Sequence, residues 1–217
     1  LTLTGANTYS GPTVIMQGTL VAASDENLGE GSTIDLNRGT LKAAGSFSSS
    51  KGLSRSTSFL GVVDTAGFDV VFSGPNTGGL SKTGPVKLTI TGSSSGFNAV
   101  SERLLALTGE TAGVSTVFDG ALEIANAVSG VITLHGGTLQ VAGALSALII
   151  ETSRAPVLDI GDPDPATLTV DLLRGSFNSS FPLLLDFGVG SDASDFLDAG
   201  FAFIDSSRFD AAFEFAF

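Results

Sequence analysis

The stretch Thr33-Ile34-Asp35-Leu36-Asn37, followed after Arg38 by Gly39-Thr40-Leu41, decides how this 217-residue chain is read. Its apolar side chains fall two apart, and Asn and Gly bound it, which is the signature of a half-buried strand ended by a tight corner. The same pattern stands at Thr13-Val14-Ile15-Met16-Gln17 before Gly18-Thr19-Leu20, and at Val131-Ile132-Thr133-Leu134 before Gly137-Thr138-Leu139. With the variant Gly120-Ala121-Leu122, the triplets begin at positions 18, 39, 120 and 137. Those intervals read as one, four and one repeats of a loose period near twenty. A second motif agrees with that period: Leu1-Thr2-Leu3-Thr4-Gly5 returns as Leu88-Thr89-Ile90-Thr91-Gly92, about four repeats later. Twenty residues cut into short strands by glycine corners make one coil of a parallel β-solenoid. One coil cannot bury its inward face alone, so the coils must stack.

Composition fits this reading. Glycine supplies 28 of 217 residues, about twice the usual ~7%, without the Gly-X-Y period of collagen. The chain is 42% apolar and 15% charged, so it can bury a core, and its surface must be carried by Ser, Thr, Asn and Gly. With 22 acidic and 10 basic side chains, the net charge is −12. That charge argues against nucleic acid and anionic membrane surfaces, which are bound through Lys and Arg. Zero Cys and one His exclude disulfides, thiolate metal sites, cysteine nucleophiles and any site needing two imidazoles. No run of 18 apolar residues is present, so no transmembrane helix is expected.

The segments Leu1 to Ala23 ("LTLTGANTYSGPTVIMQGTLVAA") and Gly78 to Gly92 ("GGLSKTGPVKLTITG") resemble the autotransporter-associated β-strand repeat of secreted passenger domains. The resemblance implies a right-handed parallel β-helix exported to the bacterial cell surface or beyond. It departs after Gly92, where "SSSGFNAVSERLLALTG" replaces the Asn-Thr-Tyr segment. It says little about activity, because such helices carry adhesins, proteases and inert stalks alike.

From Pro156 the character changes. Eleven acids stand against Arg174 and Arg208, ten of the sixteen Phe gather there, and the triplets stop. The expected architecture is all-β: a right-handed parallel β-helix of about seven coils over residues 1–157, then an acidic, Phe-rich antiparallel β cap over 158–217. Open solenoid ends expose strand edges and core, and caps cover them.

Motifs that suggest chemistry are weak on spacing or context. His135 has no Ser or Cys partner in a recognisable setting and reads as an outward or turn residue. Ser48-Ser49-Ser50-Lys51 and Lys82-Thr83-Gly84 match fragments of penicillin-binding signatures, but no Ser-Asp-Asn accompanies them, and the second is accounted for by the repeat. Gly74 to Thr83 lacks the Gly-Lys step of a phosphate loop. Asp35 and Glu123 sit in repeat strands several coils apart, whereas a polysaccharide-cleaving site needs carboxylates on neighbouring coils. The clusters Asp159/Asp162/Asp164 and Asp192/Asp195/Asp198 match no calcium-loop spacing and read as acidic turns. Neither catalytic residues, cofactor nor metal ligands are therefore expected.

The expected function is a non-enzymatic extracellular structural protein, a filament subunit assembling head-to-tail through strand edges. Leu1, Leu3, Phe209, Phe213, Phe215 and Phe217 would form that contact, and further copies of the chain would be its partners. The alternative is an autotransporter passenger acting as an adhesin toward surface glycans or host cells, and a polysaccharide lyase or hydrolase stands behind both. No nucleic-acid partner and no membrane insertion of this fragment is expected.

Overall fold

The computed structural model describes residues 1–54, 59–141 and 145–151, and six short strands between 157 and 204 by their backbone. The chain winds as a parallel β-solenoid of right-handed type with about eight turns. Every strand pairing described is parallel, and the strands fall into three sheets that form the faces of the rod. The first sheet begins with Thr2–Leu3, Thr19–Ala22, Thr40–Ala43 and Gly61–Asp64. The second begins with Phe47–Ser49, Val70–Phe72 and Leu88–Ile90. The third pairs Thr13–Ile15, Thr33–Leu36 and Gly52–Ser54, then narrows to single bridges through Leu53, Asn76, Ser94, Thr111 and Val128.

The register measures each turn. Partners on the first sheet are Thr2 and Val21, Thr19 and Thr40, Thr40 and Val62, Gly61 and Leu80, Leu80 and Asn98, Asn98 and Ser115, Ser115 and Ile132. The turns thus lengthen as far as the step from Thr40 to Val62 and shorten after it down to the step from Ile132 to Leu148. A uniform period of twenty undercounts these later turns, which is why about eight stand where seven were expected. The same drift corrects the reading of the triplets. Thr19–Ala22 and Thr40–Ala43 belong to the first sheet, whereas Ala121–Ile124 and Thr138–Val141 belong to the second. The long interval from Gly39 to Gly120 is therefore four turns plus one corner. Leu1 to Gly5 and Leu88 to Gly92 likewise stand on different faces.

Inward side chains form columns, one residue per turn. On the second sheet Phe47, Val70, Leu88, Leu105, Leu122 and Leu139 stack, beside Phe72, Ile90, Leu107, Ile124 and Val141. Phe47 meets Phe72 edge to face, with centroids 6.1 Å apart, a favoured aromatic geometry. These columns and their counterparts on the first sheet make one continuous apolar core.

Where the first and third faces meet, the core turns polar. Asn76, Ser94, Thr111, Asn98 and Ser115 are all buried. Asn76 Nδ2 donates to Asn98 Oδ1 at 2.8 Å, and Asn98 Nδ2 donates to Ser94 Oγ at 3.1 Å and to Ser115 Oγ at 3.2 Å. Asn76 Oδ1 is buried without a hydrogen-bond partner. Removing a hub that satisfies three neighbours leaves buried donors orphaned. Asn98→Ala is accordingly expected to lower stability by about 2 kcal/mol, read as a fall in the urea midpoint at unchanged slope.

Beyond residue 156, Val157–Asp159 and Leu184–Asp186 continue the second sheet, and Thr167–Val170, Leu173–Ser176, Phe196–Ala199 and Ala202–Ile204 continue the first. These six strands pair in parallel; the rest of the segment expected to form an antiparallel, Phe-rich cap lies outside the described residues. The side chains there lie outside the described residues.

Candidate functional site

Of the residues named for assembly, Leu1 is exposed at 83% and Leu3 packs partly on the core. Phe209, Phe213, Phe215 and Phe217 lie outside the described residues. So do the side chains of the two aspartate clusters. Ser48 points outward, while Lys51 is buried and its Nζ pairs with Asp25 Oδ1 at 2.9 Å, so the Ser-x-x-Lys pair is not assembled. Asp35 lies on the third sheet and Glu123 on the second, where its carboxylate meets Lys87 Nζ at 3.0 Å.

What the fold does assemble is a corner between the first and second sheets. Val100, Val117 and Leu134 are register partners at the ends of first-sheet strands, and Leu104, Ala121 and Thr138 at the starts of second-sheet strands. The three-residue links between them therefore stack: Ser101-Glu102-Arg103, then Phe118-Asp119-Gly120, then His135-Gly136-Gly137. The third link position is left-handed in each, with φ of 51° at Arg103, 78° at Gly120 and 72° at Gly137. Glycine adopts that conformation freely. Arg103 holds it against a steric cost of about 1 kcal/mol.

Charge is gathered here. Arg103 Nε donates to Pro85 O at 3.0 Å, Glu102 Oε2 accepts from Gly84 N at 2.8 Å, and Asp119 Oδ1 accepts from Gly120 N at 2.8 Å. Ser101, Glu102, Arg103, Asp119 and Lys87 line an open depression of about 720 Å³. Beside it the Phe118 ring stacks on the imidazole of His135, centroids 5.1 Å apart and 2° between planes.

Lys82 supports this corner from inside. It stands in the inward column between Val63 and Val100 and is fully buried. Its ammonium donates to Thr83 O at 2.9 Å, Gly84 O at 2.7 Å and Glu102 O at 3.3 Å. Burial lowers its pKa from 10.5 to about 8, against the opposing pull of Glu102 and Asp64. Buried lysines with lowered pKa serve as nucleophiles in many sites, but this one is closed off from solvent and ties two successive turns together. Its position in the Lys-Thr-Gly match gave no hint of burial. The signal that was available is the common spacing that relates Ser101 to Phe118, Phe118 to His135, and Glu102 to Asp119. Acids were sought in the alternating strands, at Asp35 and Glu123, and these neighbours in the links were missed.

Residues 1–22 match the profile of the passenger-associated-transport-repeat. The resemblance read from Leu1 to Ala23 is thereby borne out, and the passenger repeat leads without interruption of the parallel register into the turns that carry the corner. The repeat points to a secreted or cell-surface place for the chain. No curated protein and no solved structure matches the chain. Among the described residues no three His, Cys, Asp or Glu side chains are grouped to hold a metal ion.

Proposed function

We propose that the chain is a length of the rod of an autotransporter passenger, a non-catalytic element that holds binding surfaces away from the cell. The observation that carries this is the passenger-associated-transport-repeat at residues 1–22, continued by stacked parallel turns in a single core. A rod of this kind is stiff because each turn is hydrogen-bonded to its neighbours and buries its apolar columns against theirs. Surface labelling of intact cells expressing the natural open reading frame tests the reading. Antibody against the rod should label unpermeabilised cells, and protease added outside should remove the label. Signal seen only after permeabilisation would refute it.

A filament subunit is the second reading, since the parallel turns of a solenoid present unpaired strand edges at any end that is left uncovered. Edge strands of this kind template strand addition. Negative-stain images would show head-to-tail fibres, and monodisperse single rods across salt and calcium would exclude them.

A further inference from the structure

We propose that the corner at Phe118 is a subsite for a neutral sugar ring. The 5.1 Å between the Phe118 and His135 centroids is close to the ~4.8 Å rise of one turn, so the rings are stacked along the rod axis, one per turn. His135 covers the face of Phe118 that is turned to the following turn. The opposite face is turned to the preceding one, where the equivalent residue is Ser101. A serine is too small to cover a phenyl ring, and Phe118 is 46% exposed. A step one turn high is left beside the ring, and Ser101, the residue below it, and Asp119, its neighbour in the chain, both line the depression.

The chemistry of that step selects its ligand. A pyranose presents a face of C–H bonds with slight positive character, which complements the negative face of an aromatic ring. Its hydroxyls lie around the rim, where carboxylates accept and a guanidinium donates. Glu102, Asp119 and Arg103 stand at the rim of the depression, and the bond from Arg103 to Pro85 O fixes the guanidinium. An apolar ligand would cover these ionised groups without satisfying them. A uronic or sialic acid would bring its carboxylate up to those of Glu102 and Asp119, while Lys87 in the same depression is already paired with Glu123. The sugar is therefore neutral. Arg103 also holds the left-handed backbone position that glycine fills in the next two turns, a strain of the sort retained where a side chain is used.

The subsite stands on the geometry of the corner and not on the passenger reading, which would survive its loss. The test is titration of the full chain with neutral hexasaccharides (a glucan, a mannan and a xylan), with hexagalacturonate as the charged comparison. The ring protons of His135, the single histidine, report binding. At least one neutral oligomer should give a saturable shift with Kd on the order of 1 mM. Phe118→Ala should weaken it tenfold or more, Ser101→Trp should fill the step and do the same, and Phe118→Tyr should keep it. Unchanged thermal unfolding of the variants separates loss of the site from loss of the fold. The proposal is overturned if no neutral oligomer gives a saturable shift, if hexagalacturonate alone does, or if both disabling variants bind like the wild type.

Discussion

Gly113→Val is expected to cost about 4 kcal/mol or more and to unfold the middle of the rod. A Cβ at Gly113 would overlap the carbonyl oxygen of Gly96 in the turn before it. Gly96 stands in the same relation to Gly78, and Gly130 to Gly113. Gly78, Gly96, Gly113 and Gly130 thus form a ladder where the third face meets the first, one glycine per turn. Backbones approach there more closely than any side chain permits, and the parallel ladders on either side prevent the turns from separating. Interiors packed this tightly relax little, so the clash is met by loss of structure. A built-in control comes from Gly11, where no heavy atom lies within 4 Å of an added Cβ and φ is not left-handed. Gly11→Ala should change stability by less than about 0.5 kcal/mol. Urea denaturation of the two variants side by side checks both statements.

The second large effect is one of pH. Lys82 titrates near 8 in the folded rod and near 10.5 once unfolded. Between those values the unfolded chain binds more protons, so stability rises with pH. Below about pH 8 the rod carries the full cost of a buried ammonium. That cost is relieved as pH passes from 8 to 10.5, and the gap corresponds to about 3 kcal/mol. Lys82→Met should abolish the rise, because Met fits a column otherwise filled by Leu and Val and carries no charge. At pH 7 the net gain from the substitution is smaller than about 3 kcal/mol, since the carbonyls of Thr83, Gly84 and Glu102 lose their donor. The measurement is the difference in unfolding free energy between wild type and variant at pH 7, 8, 9 and 10. A constant difference would contradict the assignment.

Strand alternation and the glycine corners were enough to read a parallel solenoid, because period-two patterning reports a buried face directly. The turn count and the faces were not legible from the triplets. Gly-Thr-Leu is simply a tight corner entering a strand, and the solenoid has more than one such corner per turn. Gly18-Thr19-Leu20 and Gly137-Thr138-Leu139 look alike because they do the same local work on different sheets. The true period is carried by Gly74-Pro75-Asn76-Thr77-Gly78, Gly92-Ser93-Ser94-Ser95-Gly96 and Gly109-Glu110-Thr111-Ala112-Gly113. The first reads at most as a failed phosphate loop and none reads as the repeat, because their middle residues are polar, which ordinarily marks a surface loop. Here Asn76, Ser94 and Thr111 point inward and, Asn76 Oδ1 apart, satisfy one another, Asn98 or the backbone. Lys82 was hidden for the same reason, since a lysine in an alternating strand is expected on the wet side. The Phe118 corner needed the register itself, because Ser101, Phe118 and His135 share no chemistry that a motif would reveal.

The register of the later turns, which sets Leu105 on Leu122 and Leu122 on Leu139, is the claim on which the corner, the ladders and the lysine all rest. The chain has no cysteine, so introduced pairs report it cleanly. Glu123 and Gln140 are cross-strand partners whose side chains stand on the outer side of the second sheet. Parallel neighbours lie about 4.8 Å apart, within the ~4.4 to 6.8 Å span that a disulfide bridges. The double substitution Glu123→Cys with Gln140→Cys should oxidise rapidly to an intramolecular disulfide, whereas Glu123→Cys with Thr138→Cys, two positions out of register, should not. Cross-linking of the second pair in preference to the first, or of neither, would contradict the solenoid described here.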